Sequence, residues 1–129
     1  MKVVFLQEAD VDLQDLRQYI VRNFGKAEWA RTRRRISESV RTIRAFPQGG
    51  RIPDEIAAMG VGQYRQAVSG MNRLIYEVRG DLVYIHIVCD ARRDMRTLML
   101  RRLVRVSAVN DPRLPYWRGA AGTARPAAG

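Results

Sequence analysis

Arginine dominates the chemistry available to this chain. Of its 23 basic residues only Lys2 and Lys26 are lysines, and single copies of histidine (His86) and cysteine (Cys89) complete the reactive nitrogen and sulfur groups. Guanidinium forks bind phosphate and carboxylate in a planar, bidentate manner and stay charged at physiological pH. They stabilise anions well and are poor proton shuttles. Arg65, Arg73, Arg92 and Arg93 interrupt or follow β-prone segments instead of decorating a helix. A three-strand meander would let residues 65 and 73 approach across the first hairpin, with 92 and 93 emerging at the end of the third strand. Guanidiniums gathered within a Debye length of about 8 Å would hold a phosphate chain or the extra charge of a cleavage transition state. The alternative is a structural network with Glu77, Asp90 and Asp94.

A second basic group is helical in spacing. Arg31, Arg33, Arg34 and Arg35 fall within five positions, and residues 26–51 hold eight basic residues against Glu28 and Glu38. Such a face suits a nucleic-acid backbone or an acidic peptide, and it is equally the ordinary solvated side of a helix.

Acid–base chemistry is harder to place. His86 has the only side chain with an ordinary pKa near 6.5, yet it sits inside the most apolar segment, Leu82 to Cys89. A hydrogen-bonded interior or interface histidine is the expected role, with proton transfer the alternative. Tyr64, Tyr76 and Tyr84 could bond phosphate or stack on a base, although strand aromatics are usually packing elements. Arg92 and Arg93 near Cys89 would favour a thiolate, but no base is placed to use it, so a buried, inert thiol is expected. Gly49-Gly50 and Gly60-x-Gly62 lack the context of a phosphate loop or dinucleotide fingerprint, and no carboxylate pair suggests glycoside hydrolysis.

The elements that must position these groups follow from periodicity. Val3 to Leu6 is β-prone, and Leu13, Leu16 and Ile20 then make one helical stripe behind Asp10, Asp12 and Asp15, with Gly25 as terminator. A second helix is predicted over about residues 26–46 from Trp29, Ile36, Val40 and Ile43, giving an antiparallel hairpin. Pro47 to Gly50 stops it. Tyr64–Val68, Arg73–Val78 and Leu82–Cys89 read as consecutive strands joined at Gly70-Met71 and Gly80-Asp81, the last strand covered on both faces. Met95, Leu98, Met99 and Leu103 supply a final helical stripe. The order is β-α-α-β-β-β-α, an α+β architecture whose antiparallel C-terminal meander lies against the helical hairpin. Residues 1–108 form one domain, and 109–129 read as a flexible Pro/Gly/Ala-rich tail with Tyr116-Trp117 its only docking element.

The whole composition sets bounds. A chain of 129 residues, 47% hydrophobic, supports one domain with a modest core. The net charge of +10 predicts an acidic partner. One cysteine makes no internal disulfide and one histidine no multi-histidine metal site, so a cytoplasmic protein without metal or cofactor is expected. Lys2 is followed by only four apolar residues, and no apolar run nears the roughly 20 needed to cross a bilayer, so neither secretion nor membrane association is expected.

The element order, together with Gly62-Gln63-Tyr64-Arg65, Asn72-Arg73-Leu74-Ile75-Tyr76-Glu77-Val78 and Asp90-Ala91-Arg92-Arg93-Asp94-Met95, resembles the RelE/ParE toxin superfamily over roughly residues 1–105. The resemblance implies a growth-inhibiting toxin, of the kind linked to plasmid stabilisation, made beside an acidic antitoxin that wraps it. It allows a homodimer or a heterotetramer with that antitoxin. RelE-like members cleave messenger RNA on the ribosome, and ParE-like members poison DNA gyrase. Arg73 matches the arginine of the family's Tyr-Arg strand motif, with Asn72 in place of the Tyr, and Arg92 matches the arginine after the final strand. Ala91 stands where many ribonuclease members carry His, and the late Tyr of RNA-cleaving relatives is absent near Met95 and Arg96. The target is therefore expected to be ParE-like, with ribosome-dependent RNA cleavage and a nontoxic RNA-binding module as alternatives. Target contact is expected at Arg65, Arg73, Arg92, Arg93 and Tyr76, and antitoxin contact at Met95, Leu98, Met99 and Arg102. Under the ribonuclease alternative Arg65, Arg73, Arg92 and His86 would form the catalytic set.

Overall fold

Alternation starts the fold. In a computed structural model that describes residues 1–57, 63–109 and 125–126, strand β1 (Lys2–Phe5) points Val3 and Phe5 inward and leads into helix α1 (Gln7–Phe24). Glu8 and Asp10 lie in the first turn of α1, where carboxylates meet unpaired backbone N–H groups. Gly25 ends α1 and begins helix α2 (Lys26–Ala45). Its φ of 93° belongs to glycine's range, and it lets one N–H bond to the Ile20 and Val21 carbonyls while its own carbonyl accepts from the Trp29 N–H. One residue thus reverses the chain between two long helices.

After a one-turn helix α3 (Asp54–Ala57), strands β2 (Tyr64–Ser69), β3 (Asn72–Arg79) and β4 (Leu82–Asp90) form the expected meander, joined by turns at Gly70-Met71 and Gly80-Asp81. Helix α4 (Met95–Val109) follows, and Arg125–Pro126 form a short strand β5. The rest of the expected tail, with Tyr116 and Trp117, lies outside the described residues, as do Gly60 and Gly62. The sheet order is β2-β3-β4-β1-β5, with β1 parallel to β4 and β5 antiparallel to β1.

Two apolar layers sandwich the sheet. Under the α1–α2 hairpin lie Val3, Phe5, Ile36, Val40, Leu74, Tyr76, Val83 and Ile85 among others, and Tyr64, Ile75, Ile87, Cys89, Met95, Met99 and Leu103 fill the layer under α4. This explains why β4 is apolar on both parities. A bulge adds a detail that alternation alone does not give: Ile75 pairs with Ile87 and Tyr76 with Ile85, which leaves His86 as the extra residue. Val83 and Ile85 therefore face the hairpin, while Ile87 and Cys89, of the same parity, face α4. No helix among the described residues is long and apolar enough to cross a membrane.

Candidate functional site

The sheet does not bring the strand arginines to one surface. Arg65 pairs with Tyr76 and Arg73 with Val68 across the first hairpin. Strand alternation then puts Arg65 on the hairpin face, beside Tyr76 and Ala67, and Arg73 on the α4 face, in line with Ile75. The expected approach of 65 and 73 is corrected by this register. Both arginines are also engaged within the molecule. Arg65 NH1 donates to the carbonyls of Gly50 at 2.7 Å and Gln48 at 3.2 Å. Arg73 makes a bidentate pair with Glu55, 2.8 and 2.9 Å, and its Nε donates to Gln66 Oε1. The hydrogen bond from Arg73 holds the Glu55 carboxyl below its ordinary range against the opposing effect of burial.

Tyr76 is 1% exposed. Its hydroxyl donates to the Pro47 carbonyl at 2.9 Å and accepts from the Gly50 N–H at 3.1 Å, so it fastens the 47–50 loop instead of presenting a ring to a target. Gly50 is required there, because a Cβ would collide with the Tyr76 hydroxyl and sit 2.7 Å from the Gln66 carbonyl.

His86 is an interior histidine. The bulge turns it toward the α4 layer, where Nε2 lies 2.9 Å from Glu77 Oε1 and the ring stands edge-on to Tyr64 with centroids 5.3 Å apart. Glu77 also accepts from Arg79 Nε at 2.9 Å. Burial raises the Glu77 pKa, but the His86 and Arg79 contacts outweigh it and keep the carboxyl below its usual range. Cys89 is buried against Met95, and burial pushes its thiol up to about 11 despite the nearby Arg73 and Arg93.

Arg92 and Arg93 are exposed where β4 ends. The Arg92 guanidinium closes a two-point contact on Asp90, Nε to Oδ1 at 3.0 Å and NH2 to Oδ2 at 2.9 Å. On α4, Met95 and Met99 are buried against the sheet and Leu98 is partly buried. Arg102, 8% exposed, points inward and holds three elements: its NH2 donates to the His86 carbonyl at 2.6 Å, NH1 and NH2 reach Asp12 at 3.2 and 3.1 Å, and Nε lies 2.6 Å from Glu8. Asp12 in turn accepts from the Val88 N–H at 3.0 Å. The bulge in β4 and the short reach of β1 leave these backbone groups without a strand partner, and the Asp12–Arg102 pair satisfies them.

Sequence reasoning missed one feature. A groove of about 1400 Å³ runs between α1 and α2, with Leu13, Val21 and Trp29 in its walls and Arg17, Arg22, Lys26, Arg33, Arg34 and Arg41 around it. Arg33 and Arg34 belong to the basic run already visible in the sequence, but Arg17 and Arg22 carry no signal until the hairpin sets α1 beside them. Among the described residues no group of three His, Cys, Asp or Glu side chains could hold a metal ion.

Comparison with known proteins agrees with this architecture. Residues 3–95 match the model of the ParE toxin of type II toxin-antitoxin systems, parDE. A solved structure described as the chromosomal ParDE TA system from P. aeruginosa is similar at a TM-score of 0.58 and 18% identity, covering 70% of this chain and 95% of the other. No curated protein matches. With the family model spanning most of the sandwich, from β1 to the start of α4, this chain belongs to the ParE toxin family of type II toxin-antitoxin systems.

Proposed function

We propose that this toxin arrests growth by binding DNA gyrase and that it does not cut messenger RNA. The observation that supports this reading is the confinement of its only imidazole: the His86 side chain is 3% exposed and bonded to Glu77 in the sheet interior. RNA cleavage needs in-line orientation of the ribose hydroxyl, stabilisation of phosphate charge and a proton donor for the leaving oxygen. The Tyr76 hydroxyl is committed to the 47–50 loop, and Arg65 and Arg73 lie on opposite faces of the sheet. Binding to a protein target needs none of that machinery.

The target surface is the end of β4, with Arg92 and Arg93 exposed, and Arg65, Arg73 and Tyr76 behind it fixing the loops and the sheet. The antitoxin is acidic and amphipathic and docks along α4 around Leu98 and the exposed Arg101 one turn on. Met95, Met99 and Arg102 support that contact from beneath by holding the helix in place.

Antitoxin-free protein assayed in parallel for gyrase-dependent DNA cleavage and for messenger RNA cleavage on ribosomes tests the reading. Gyrase-linked breaks without RNA cleavage are expected, and Arg92→Glu with Arg93→Glu should lower gyrase inhibition at least about tenfold. Ribosome-dependent cleavage with gyrase untouched overturns it.

A further inference from the structure

The six cations around the α1–α2 groove are all exposed, and none makes an ion pair among the described residues. This separates them from Arg31, Arg51, Arg73, Arg79, Arg92 and Arg102, each of which contacts a carboxylate. Among the described residues no carboxylate lines the groove: Asp15 and Glu38 lie outside it, and Glu28 is engaged by Arg31. The bland expectation for an arginine-rich helix, a face balanced by neighbouring acids, is therefore not met here. Two rails of uncompensated charge, Arg17 and Arg22 on α1 and Lys26, Arg33, Arg34 and Arg41 on α2, flank one channel.

We infer that this groove is a binding surface for the phosphodiester backbone of duplex DNA. Charge density supports a nucleic acid. From Lys26 to Arg41 the α2 rail rises about 22 Å at 1.5 Å per residue. A duplex presents about 13 negative charges over that length, at one per 1.7 Å. An acidic amphipathic helix is the competing occupant, and it needs exposed apolar surface to settle on. Leu13, Val21 and Trp29 in the groove walls are only partly exposed, Ile36 and Val40 in its floor are buried, and the large exposed hydrophobics, including Val11, Tyr19, Phe24 and Leu100, all lie outside it. A single strand would call for a row of stacking aromatics, and among the described residues the groove offers Trp29 and the buried Phe5 alone. Two cationic rails suit the two backbones of a duplex. The choice of DNA over RNA rests on the gyrase reading, since gyrase acts on duplex DNA; the rest of the inference does not.

Fluorescence anisotropy of a labelled DNA duplex of about 24 base pairs, roughly two helical turns, tests this without gyrase. Its failure therefore leaves the gyrase reading standing. Full-length protein should bind in the micromolar range at low salt, weakening with a log–log salt slope of about −4 to −5 as five or so phosphates are neutralised. Arg17→Gln, Arg33→Gln, Arg34→Gln and Arg41→Gln combined should weaken binding at least about tenfold and flatten the slope by about 3. The matching Lys substitutions should keep the slope. Arg92→Gln, Arg93→Gln, Arg96→Gln and Arg101→Gln combined remove the same charge elsewhere and should change affinity less than about threefold. Equal losses in the two quadruple variants, with both melting cooperatively, overturn the site in favour of diffuse attraction. Tighter binding of duplex RNA overturns the assignment to DNA, and groove-dependent binding of an acidic helical peptide with none of DNA overturns the inference altogether.

Discussion

Replacing Arg102 with methionine keeps an unbranched apolar stem that reaches about as far as Nε and removes every polar contact the guanidinium makes. The His86 carbonyl loses its 2.6 Å donor, Glu8 its 2.6 Å contact, and Asp12 both guanidinium nitrogens. Among the described residues only the Val88 N–H then remains to the Asp12 carboxylate. Breaking a buried pair from one side costs about 3–5 kcal/mol because the surviving charge is left desolvated. The Asp12 side chain keeps 18% exposure and one donor, which puts the expectation at the lower end, about 3 kcal/mol. Urea unfolding should show this as a shift in midpoint at unchanged slope, and melting should fall by about 12 °C, at about 4 °C per kcal/mol for a domain of this size. The loss should also depend on pH. Burial already raises the Asp12 pKa, and Arg102 is the main influence pulling it back. Without that arginine the folded pKa rises further above the unfolded value. An acid raised in this way destabilises the fold fully above its folded pKa and not at all below the unfolded one, so the deficit should shrink as pH falls from 7 toward about 4. Adding Asp12→Leu removes the stranded charge and should recover about half the loss, the rest being the unpaired His86 carbonyl and Val88 N–H. A loss under about 1 kcal/mol, or one that is flat with pH, would refute the account of Arg102 as the pin of α4.

Gly50→Ala should cost about 1–3 kcal/mol by urea unfolding, because the Gln66 carbonyl that the new Cβ meets is backbone and cannot swing away; a neutral effect would mean the loop is not fastened as described. Glu77 has a depressed pKa, so its contribution is present above the ordinary carboxyl value of 4.5 and is lost as pH falls through the lower folded value. Wild-type stability should thus decline in that acid window more steeply than that of Glu77→Gln, and parallel pH profiles would contradict the Glu77–His86 assignment. Cys89, with its thiol near 11, should react with a disulfide reagent at pH 8 only as fast as the protein opens, and prompt stoichiometric labelling would argue against its burial.

Locally encoded features were readable from the chain. Helical stripes, Gly25 as a divider and the turns at Gly70-Met71 and Gly80-Asp81 depend on neighbours a few residues apart, and they appear where periodicity puts them. The opposite orientation of Arg65 and Arg73 was also within reach: a two-residue turn at 70–71 fixes Ser69 opposite Asn72, and counting back from there pairs 65 with 76. The interior place of His86 followed from its apolar surroundings. The bulge that orients it did not, since Leu82 to Cys89 is apolar at nearly every position and alternation gives no phase to interrupt. Contacts that join distant segments left no trace either. Glu55 reaching Arg73, Asp12 reaching Arg102 and the Arg17 and Arg22 rail facing α2 arise only once the layers are assembled.

The pairing of residues 2–5 with residues 82–85 has a consequence for synthesis. During translation the first strand and both long helices emerge well before the strand that must lie beside them, and the arginine that locks the last helix emerges later still. A nascent chain stopped anywhere before residue 102 lacks that lock and leaves apolar layers uncovered. Copies terminated before that point should accordingly be short-lived, because the sandwich is locked only once residue 102 has been made.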